Sequence, residues 1–406
     1  MPRMRITHVI TRLIVGGAQE NTLLTCEGLH ARGHEVTLVT GPTTGPEGRL
    51  VERARGGGYR FIELPSLVRA VRPWTDWRAL ADLKRLYRDL APEVVHTHSS
   101  KAGILGRAAA AAAGVPIVVH TIHGMSFNRT QPWVVRRAYA ALERFAARRS
   151  HAIVTVADAM IEQSVAAGVC SREKMRTVYS GMETEWFDPR RHDRAAVRRG
   201  WGFDDGHVVV GTVARLFRRK GYEQLIPIME QAARQDQRLR FVWVGDGAQR
   251  GDYERELERR GLRERTVLTG LVRPEQVAGL MAGFDVLAHT SQWEGLPRAV
   301  VQALLLEVPA VAFDIDGAPE AVLDGRTGRL VRLNDLPGFA AALLELARDP
   351  AARQRLGAAG RALCVERFDH RRMVAALDDL YQALRESKRA AAVGRDASVG
   401  GGSQRT

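Results

Sequence analysis

Residues 208–225 read VVVGTVARLFRRKGYEQL. An apolar, β-branched run ends in a basic turn, and a helical pattern opens at Lys220-Gly221. Both alternating positions of the run are apolar, so both of its faces must be covered. That is the pattern of a strand in a parallel sheet with helices on either side. The same strand–loop–helix unit recurs in both directions along the chain. Strands are expected at 5–11, 35–41, 60–64, 94–99, 116–123, 152–157 and 176–180, and again at 208–214, 240–247, 266–271, 285–291, 310–316 and 328–332. Helical patterns separate them at 17–31, 75–90, 101–113, 132–149 and 158–167, then at 220–235, 249–260, 274–282, 297–306 and 317–323. Helices alone follow, near 335–347, 350–366 and 370–388. The polar, turn-rich segment 183–207 interrupts the alternation and reads as a linker. The fold class is therefore α/β, with two Rossmann-like domains facing across a cleft. Residues 1–185 form the first domain and 186–369 the second. A Gly/Ala/polar tail at 389–406 is expected to be disordered.

Composition narrows the function. The 406 residues are 45% apolar and 26% charged, which suits a soluble globular protein. No apolar run reaches the ~18 residues of a membrane span, and the opening MPRMRITHVITRLIVGG reads as a core strand, not a signal peptide. The three cysteines are dispersed, which points to a reducing, cytoplasmic setting and against disulfides or a zinc site. The net charge of +14 suits an anionic partner: nucleic acid, anionic lipid or a phosphorylated small molecule. Arginine outnumbers lysine 55 to 5, so Lys220 is a residue the background would have supplied as Arg.

Polar and glycine-rich residues gather where strands end, the edge at which open α/β sheets bind ligands. VGGAQE (15–20) opens a helix after the first strand. Gly16 and Gly17 there either let an anion approach backbone N–H groups or simply make a tight turn. HTHSSKAGILGR (96–107) and HTIHGMSF (120–127) bring His96, His98, His120 and His123. Their spacing alone is permissive for metal, no cysteine or carboxylate accompanies them, and no metal is expected. His123, last in its strand, is the one placed to face the cleft. Arg215 follows its strand directly, and with Lys220 it offers a planar fork and a point charge to a diphosphate. VGDG (244–247) places Gly245 in a strand-end turn. FDID (313–316) puts Asp314 and Asp316 in another such loop, without an expected metal. In SQWEGLPRAVVQAL (291–304), Glu294 and Gly295 precede a helix entered at Pro297. A carboxylate there can accept bonds from sugar hydroxyls, and nearby N–H groups can meet phosphate.

GGAQ, HTHSSKAGILGR, HTIHG, GTVARLFRRKG, VGDG, TGLVRPEQV, SQWEGLPRAVVQAL and FDIDGAPEAV, in this order, resemble the family 4 retaining glycosyltransferases of the GT-B fold. The resemblance covers roughly residues 5–385. It implies a UDP- or GDP-sugar as co-substrate, bound by the second domain, with no other cofactor and no metal. It implies an acceptor, a glycan, lipid-linked glycan or small molecule, bound mostly by the first domain, and a final helix that crosses back onto that domain. By position, Arg215 and Lys220 would bind the diphosphate, Gly16 and Gly17 would close over it, and Glu294 would meet sugar hydroxyls. Gly295, Leu296 and Pro297 would touch sugar or phosphate, and His123 would adjoin the reacting centre. The base would lie against Thr269 to Arg273, including Leu271 and Val272. The chain departs from the family at one position: the second glutamate of a Glu-x7-Glu pair, which binds ribose, is Gln302.

Two other readings compete: a GT-B nucleotide-sugar epimerase or hydrolase, and a non-catalytic basic protein binding nucleic acid or membrane. Nucleic acid is disfavoured because the basic residues are dispersed and no RNP, KH or helix-turn-helix pattern occurs. Two basic helical patterns, 66–90 with Trp74 and Trp77, and 133–149, either rest on an anionic membrane surface or pack on the first sheet with their arginines solvated.

Overall fold

The computed structural model describes residues 2–44, 49–127 and 131–400, with side chains described to residue 391. Among the described residues, thirteen strands form within a few residues of their expected positions. They are β1 (Arg5–Ile10), β2 (Glu35–Thr40), β3 (Arg60–Glu63), β4 (Val94–His98), β5 (Ile117–Ile122), β6 (Ala152–Thr155), β7 (Met175–Thr177), β8 (Val208–Val213), β9 (Leu239–Val244), β10 (Thr266–Leu268), β11 (Val286–His289), β12 (Ala310–Asp314) and β13 (Gly328–Arg332). They make two parallel sheets, ordered β3-β2-β1-β4-β5-β6-β7 and β10-β9-β8-β11-β12-β13. The chain divides accordingly into one unit of Met1–Val156, Ile161–Val178 and Arg371–Thr406, and a second of Ala157–Met160 and Tyr179–His370.

In the first unit both sheet faces are covered, as the apolar strands require. On one face, Leu23, Leu24 and Leu29 of the helix Gly17–Ala31 join Ile6, Ile10 and Leu38 of the sheet. The C-terminal helix His370–Gly400 belongs to this unit from Arg371 on and adds Met373, Val374, Leu377 and Tyr381 to the same core. That spacing is a single helical stripe. A Cβ on Gly28 would meet Val374 at 2.5 Å, so the small residue sets how closely the two helices approach. Asp378, 1% exposed as a residue, accepts from Arg32 Nε at 2.7 Å and lies 3.1 Å from His34 Nε2. Burial alone would raise its carboxyl, but Arg32 and His34 hold it below the ordinary range. On the other face, Ala79, Leu83 and Tyr87 of the helix Pro73–Leu90 and Ala102, Ala109 and Ala110 of the helix Ser100–Ala113 pack on Val9, Val39, Val95 and Val118.

In one core cluster of the second unit, Tyr222 packs tilted against Trp243 and Tyr253, and Phe313 meets Phe339 edge-on. The segment expected to be a linker is largely structured within this unit. Asp193 caps a short helix, Arg194–Gly200, by accepting from Ala196 N at 2.9 Å. Arg198, 4% exposed, and Arg194 both pair with Asp285 at the start of β11. Long-range ion pairs ordered this segment, and polar composition concealed them. The helix Val51–Gly56 was also not anticipated. The last helix continues to Gly400, so residues 389–400 extend a helix where a disordered tail was expected. The alanine-rich stretch after Lys388 has the propensity for it. Residues 401–406 lie outside the described residues.

Four histidines lie inside the first sheet: His8 on β1, His96 and His98 on β4, and His120 on β5. Burial lowers all four, His8 to about 3; neighbouring histidines push His96 and His98 down further, and Arg107 does so for His120. In the unfolded chain each protonates near its ordinary value of 6.5. Below that pH the unfolded state binds protons that the folded state refuses, so stability falls with pH. Each such histidine contributes a slope of about 1.4 kcal/mol per pH unit. Chemical denaturation at stepped pH is expected to show stability falling steeply from about pH 6.5 downward. A flat profile between pH 7 and 5 would contradict the burial of these rings.

Candidate active site

In each sheet the strand order reverses once, between β1 and β4 in the first and between β8 and β11 in the second. Loops leaving the carboxyl ends of two such strands part in opposite directions, and the crevice they leave is where open α/β sheets take ligands. Lys220 follows β8 and Glu294 follows β11, so both flank the reversal in the second unit. Lys220 Nζ donates to Glu294 Oε1 at 2.6 Å. Two positions whose separate roles came from resemblance are thus in direct contact.

The loop backbone makes this contact. Arg219 and Gly221 both have left-handed φ, +78° and +79°, a conformation that for a non-glycine signals a locally held strain. Thr290 Oγ1 donates to Gly221 O at 2.9 Å, and Gln292 N donates to Arg219 O at 3.0 Å. The loops after β8 and β11 are therefore laced together around the pair. Asp316, after β12 and also at positive φ (+46°), accepts from Glu294 N at 2.8 Å, and Gly317 N donates to Gly295 O at 3.1 Å. The Glu294 carboxylate is only 16% exposed. Burial raises it, but the Lys220 ammonium, with hydrogen bonds from Lys220 and Ser291, outweighs burial and holds it below the ordinary carboxylate value.

His289, the last residue of β11, was missed in the sequence. Its Nε2 lies 3.6 Å from Glu294 Oε1, and burial lowers its imidazole to about 4, with Lys220 opposing protonation and Glu294 favouring it. It is a neutral ring lining the carboxylate. Its only signal was a histidine closing a strand five residues before Glu294.

Arg215 is exposed beside the ring of Phe217, 5.2 Å away. Ala214 N donates to Val244 O at 3.2 Å and Leu216 N to Asp246 O at 2.9 Å, which zips the β8 and β9 loops on either side of Arg215. Gly245, at φ +137°, permits this: a Cβ there would meet Ala214 O at 2.2 Å. Gly245 bridges to Gly270, and Leu271 follows, 51% exposed, with Val272 half-buried. Gly295, Leu296 and Pro297 are buried, and Pro297 caps the helix Arg298–Leu305 from outside its first turn. Gln302 is half-buried one turn along.

In the first unit, Gly16 caps the helix Gly17–Ala31 and its carbonyl accepts from Gln19 N and Glu20 N. Thr11 Oγ1 and Ser99 Oγ, 2.7 Å apart, tie the two loops of that reversal. His123 lies just beyond β5, half-buried, its Nε2 3.0 Å from Nδ1 of His98. Of the histidines whose spacing permitted metal, His96 and His98 come together with His8, close enough to share an ion. Their nitrogens are already engaged: His96 with Tyr381 and Thr121, His98 with His8 and His123.

Two parallel α/β sheets, each with polar loops gathered at its carboxyl edge, are the GT-B architecture. The profile described as "Glycosyl transferase 4-like domain" matches residues 16–181, and that described as "Glycosyl transferases group 1" matches 193–363. The chain belongs to the family 4 glycosyltransferases. It is 29% identical over 355 residues to the UDP-Gal:alpha-D-GlcNAc-diphosphoundecaprenol alpha-1,3-galactosyltransferase of Escherichia coli, covering 86% of this chain and 89% of that one. It is 28% identical over 366 residues to the GDP-mannose-dependent alpha-(1-6)-phosphatidylinositol monomannoside mannosyltransferase of Mycolicibacterium smegmatis, covering 88% and 93%. Anabaena HepE, solved with UDP and glucose, superposes with a TM-score of 0.81 at 19% identity, over 94% of this chain and 100% of that one.

The lacing of the two loops depends on Gly221. A Cβ there would lie 1.7 Å from Thr290 O, at a φ that costs other residues roughly 1–2 kcal/mol. Gly221→Ala is expected to lower the thermal midpoint by several degrees. Gly279→Ala, whose nearest neighbour would be 3.8 Å away, is expected to leave it unchanged or raise it.

Proposed function

We propose that this protein transfers a sugar from a UDP- or GDP-sugar to a hydroxyl of a lipid-linked glycan, with retention at the anomeric carbon and without a metal ion. The observation that carries this reading is the Lys220–Glu294 contact at the strand reversal, with Arg215 on the same loop after β8 as Lys220. Arg215 and Lys220 supply two fixed positive charges for a diphosphate. Lys220 then exchanges one oxygen partner, the Glu294 carboxylate, for another on the donor. Glu294, released and ionised, accepts from sugar hydroxyls. Neutral His289 behind it adds no competing charge.

As the bond from the anomeric carbon to the diphosphate lengthens, negative charge gathers on the leaving oxygens and positive charge on the ring. Cations held in place before the reaction stabilise the first, and a nearby carboxylate the second. The acceptor hydroxyl attacks from the face the diphosphate leaves, and the departing phosphate takes its proton. Gly16, Gly17 and His123 are assigned to donor and reacting centre by the family resemblance. Gly245 is assigned to the donor, Leu271 and Val272 to its base, Gly295 to Pro297 to sugar or phosphate, and Gln302 to ribose. An amide at position 302 makes that ribose bond without charge assistance. The α-linkages in the names of two relatives support retention.

The lipid-linked acceptor is supported by the same two names and by the surface of the first unit. The helix Trp133–Ala147 buries Glu143, Ala146 and Ala147, with Glu143 paired to the buried Arg107 at 2.8 Å. Its outer side exposes Trp133, Val134, Leu142 and Phe145 among Arg136, Arg137, Arg144 and Arg148. On the helix Pro73–Leu90, Trp74 and Trp77 stack 5.3 Å apart and are 77% and 61% exposed. Trp133–Ala147 packs inward on the helix Ser100–Ala113, and Pro73–Leu90 joins the core of the first unit, yet both leave aromatic and cationic groups outward, the composition that seats a helix on anionic lipid. No helix among the described residues is long and apolar enough to cross a membrane. We infer a cytoplasmic protein that acts at the inner membrane face.

Lys220→Ala and Glu294→Ala are each expected to lower transfer about 100-fold or more while the protein stays folded; near-normal rates in both would remove the assignment. Transfer is expected to persist in EDTA, and the product's anomeric configuration, read by NMR, to match the donor's. Sugar interconversion without acceptor would favour an epimerase instead. In liposome flotation, the chain is expected to rise with anionic vesicles and not with neutral ones. Trp133→Ser with Phe145→Ser should abolish flotation without altering the thermal midpoint.

A further inference from the structure

His8, His98 and His123 form a continuous chain of rings. Nδ1 of His8 lies 3.0 Å from Nε2 of His98, and Nδ1 of His98 lies 3.0 Å from Nε2 of His123. His8 and His98 are fully buried, and His123 is half-buried at the carboxyl end of its sheet. The neighbouring His96 is not a branch of this chain, because Tyr381 Oη and Thr121 Oγ1 occupy its two nitrogens. His120 turns to Thr97 Oγ1, 2.9 Å away, on the side of Arg107. The inner end of the chain is closed: Nε2 of His8 is buried without a hydrogen-bond partner.

A neutral imidazole has one N–H and one lone pair, so the chain has only two polarities. In one, His8 holds its proton on Nε2, His98 donates inward to His8 and His123 donates inward to His98. A buried N–H on His8 would then have no acceptor. In the other, His8 donates from Nδ1, His98 donates from Nδ1 to His123, and the atom left unpartnered on His8 is a lone pair. Orphaned buried N–H groups are the rarer defect. Burial keeps His8 and His98 uncharged at neutral pH, so a doubly protonated ring does not blur the choice.

We propose that His8 and His98 are positioning residues that hold His123 as the Nδ1–H tautomer, with its Nε2 committed inward as an acceptor. In that tautomer His123 carries a donor on Nδ1 and offers no free lone pair through Nε2, so it does not serve as a general base from that nitrogen. The consequence for transfer rests on the reading of His123 as a neighbour of the reacting sugar; the tautomer does not.

Histidine-selective 15N NMR of the full chain tests it, with the His123 ring identified by its loss in His123→Asn. The expected parent spectrum has His123 protonated on Nδ1. His98→Phe removes both ring-to-ring bonds at similar volume and is expected to release His123 into a tautomer mixture. His98→Asn, whose amide can donate from near the original Nδ1, is expected to restore the single tautomer. Transfer should fall about 10- to 100-fold in His98→Phe, the range typical when a histidine loses its orienting partner, and recover in His98→Asn. A parent His123 protonated on Nε2 overturns the proposal, whatever the variants do. So does a tautomer unchanged in His98→Phe, or a metal ion retained stoichiometrically through chelation, since a metal on these nitrogens cannot coexist with the ring-to-ring bonds. Normal transfer by His123→Asn alongside the expected spectra would instead remove His123 from the reaction and leave the relay standing.

Discussion

A carboxylate largely withdrawn from water needs a cation or hydrogen-bond donors to stay ionised, and Glu294 has Ser291 as a donor and Lys220 as its ion-pair partner. The rest of the second unit's working edge is arranged to keep that pair together. Arg219 and Gly221 take left-handed backbone so that the β8 loop can turn into its helix, and Thr290 and Gln292 bond back to the same two residues. Asp316 fixes the backbone N–H of Glu294 from the next loop along. The resting pair leaves each charge matched by the other in a setting largely closed to water.

The first unit solves a different problem. Its sheet carries histidines and threonines where two covered faces would normally take aliphatic residues. Each polar side chain therefore needs a partner inside. Most are found across strands, and one comes from the far end of the chain: Tyr381 meets His96 from the helix that returns after the second unit. That helix brings apolar cover and a hydrogen bond to the same sheet. It also brings Asp378, whose charge is matched by Arg32 and His34.

Much of this was legible in the sequence because strand and helix periodicity are local. All the strands and most of the helices appear where apolar runs and amphipathic patterns put them. The misses share a cause. Residues 194–200 look like linker because their arginines are charged, and only Asp285 makes them part of a core. For the helix Trp133–Ala147 the sequence left two orientations open, its apolar stripe inward or outward. Here the inward side holds Glu143 for Arg107, and the stripe is left in solvent. His289 gave no pattern at all; its meaning is its distance from Glu294.

The sequence by itself determined two parallel α/β units, the loops that carry their chemistry, and the types of residue in those loops. Only the tertiary structure decided which of them touch. Lys220 and Glu294 are 74 residues apart, His8 and His98 90, His98 and His123 25. A parallel sheet joins strands through long crossovers, so neighbours at its carboxyl edge are never neighbours in the chain. Contact, burial and the direction of a shared proton exist only once that edge is assembled.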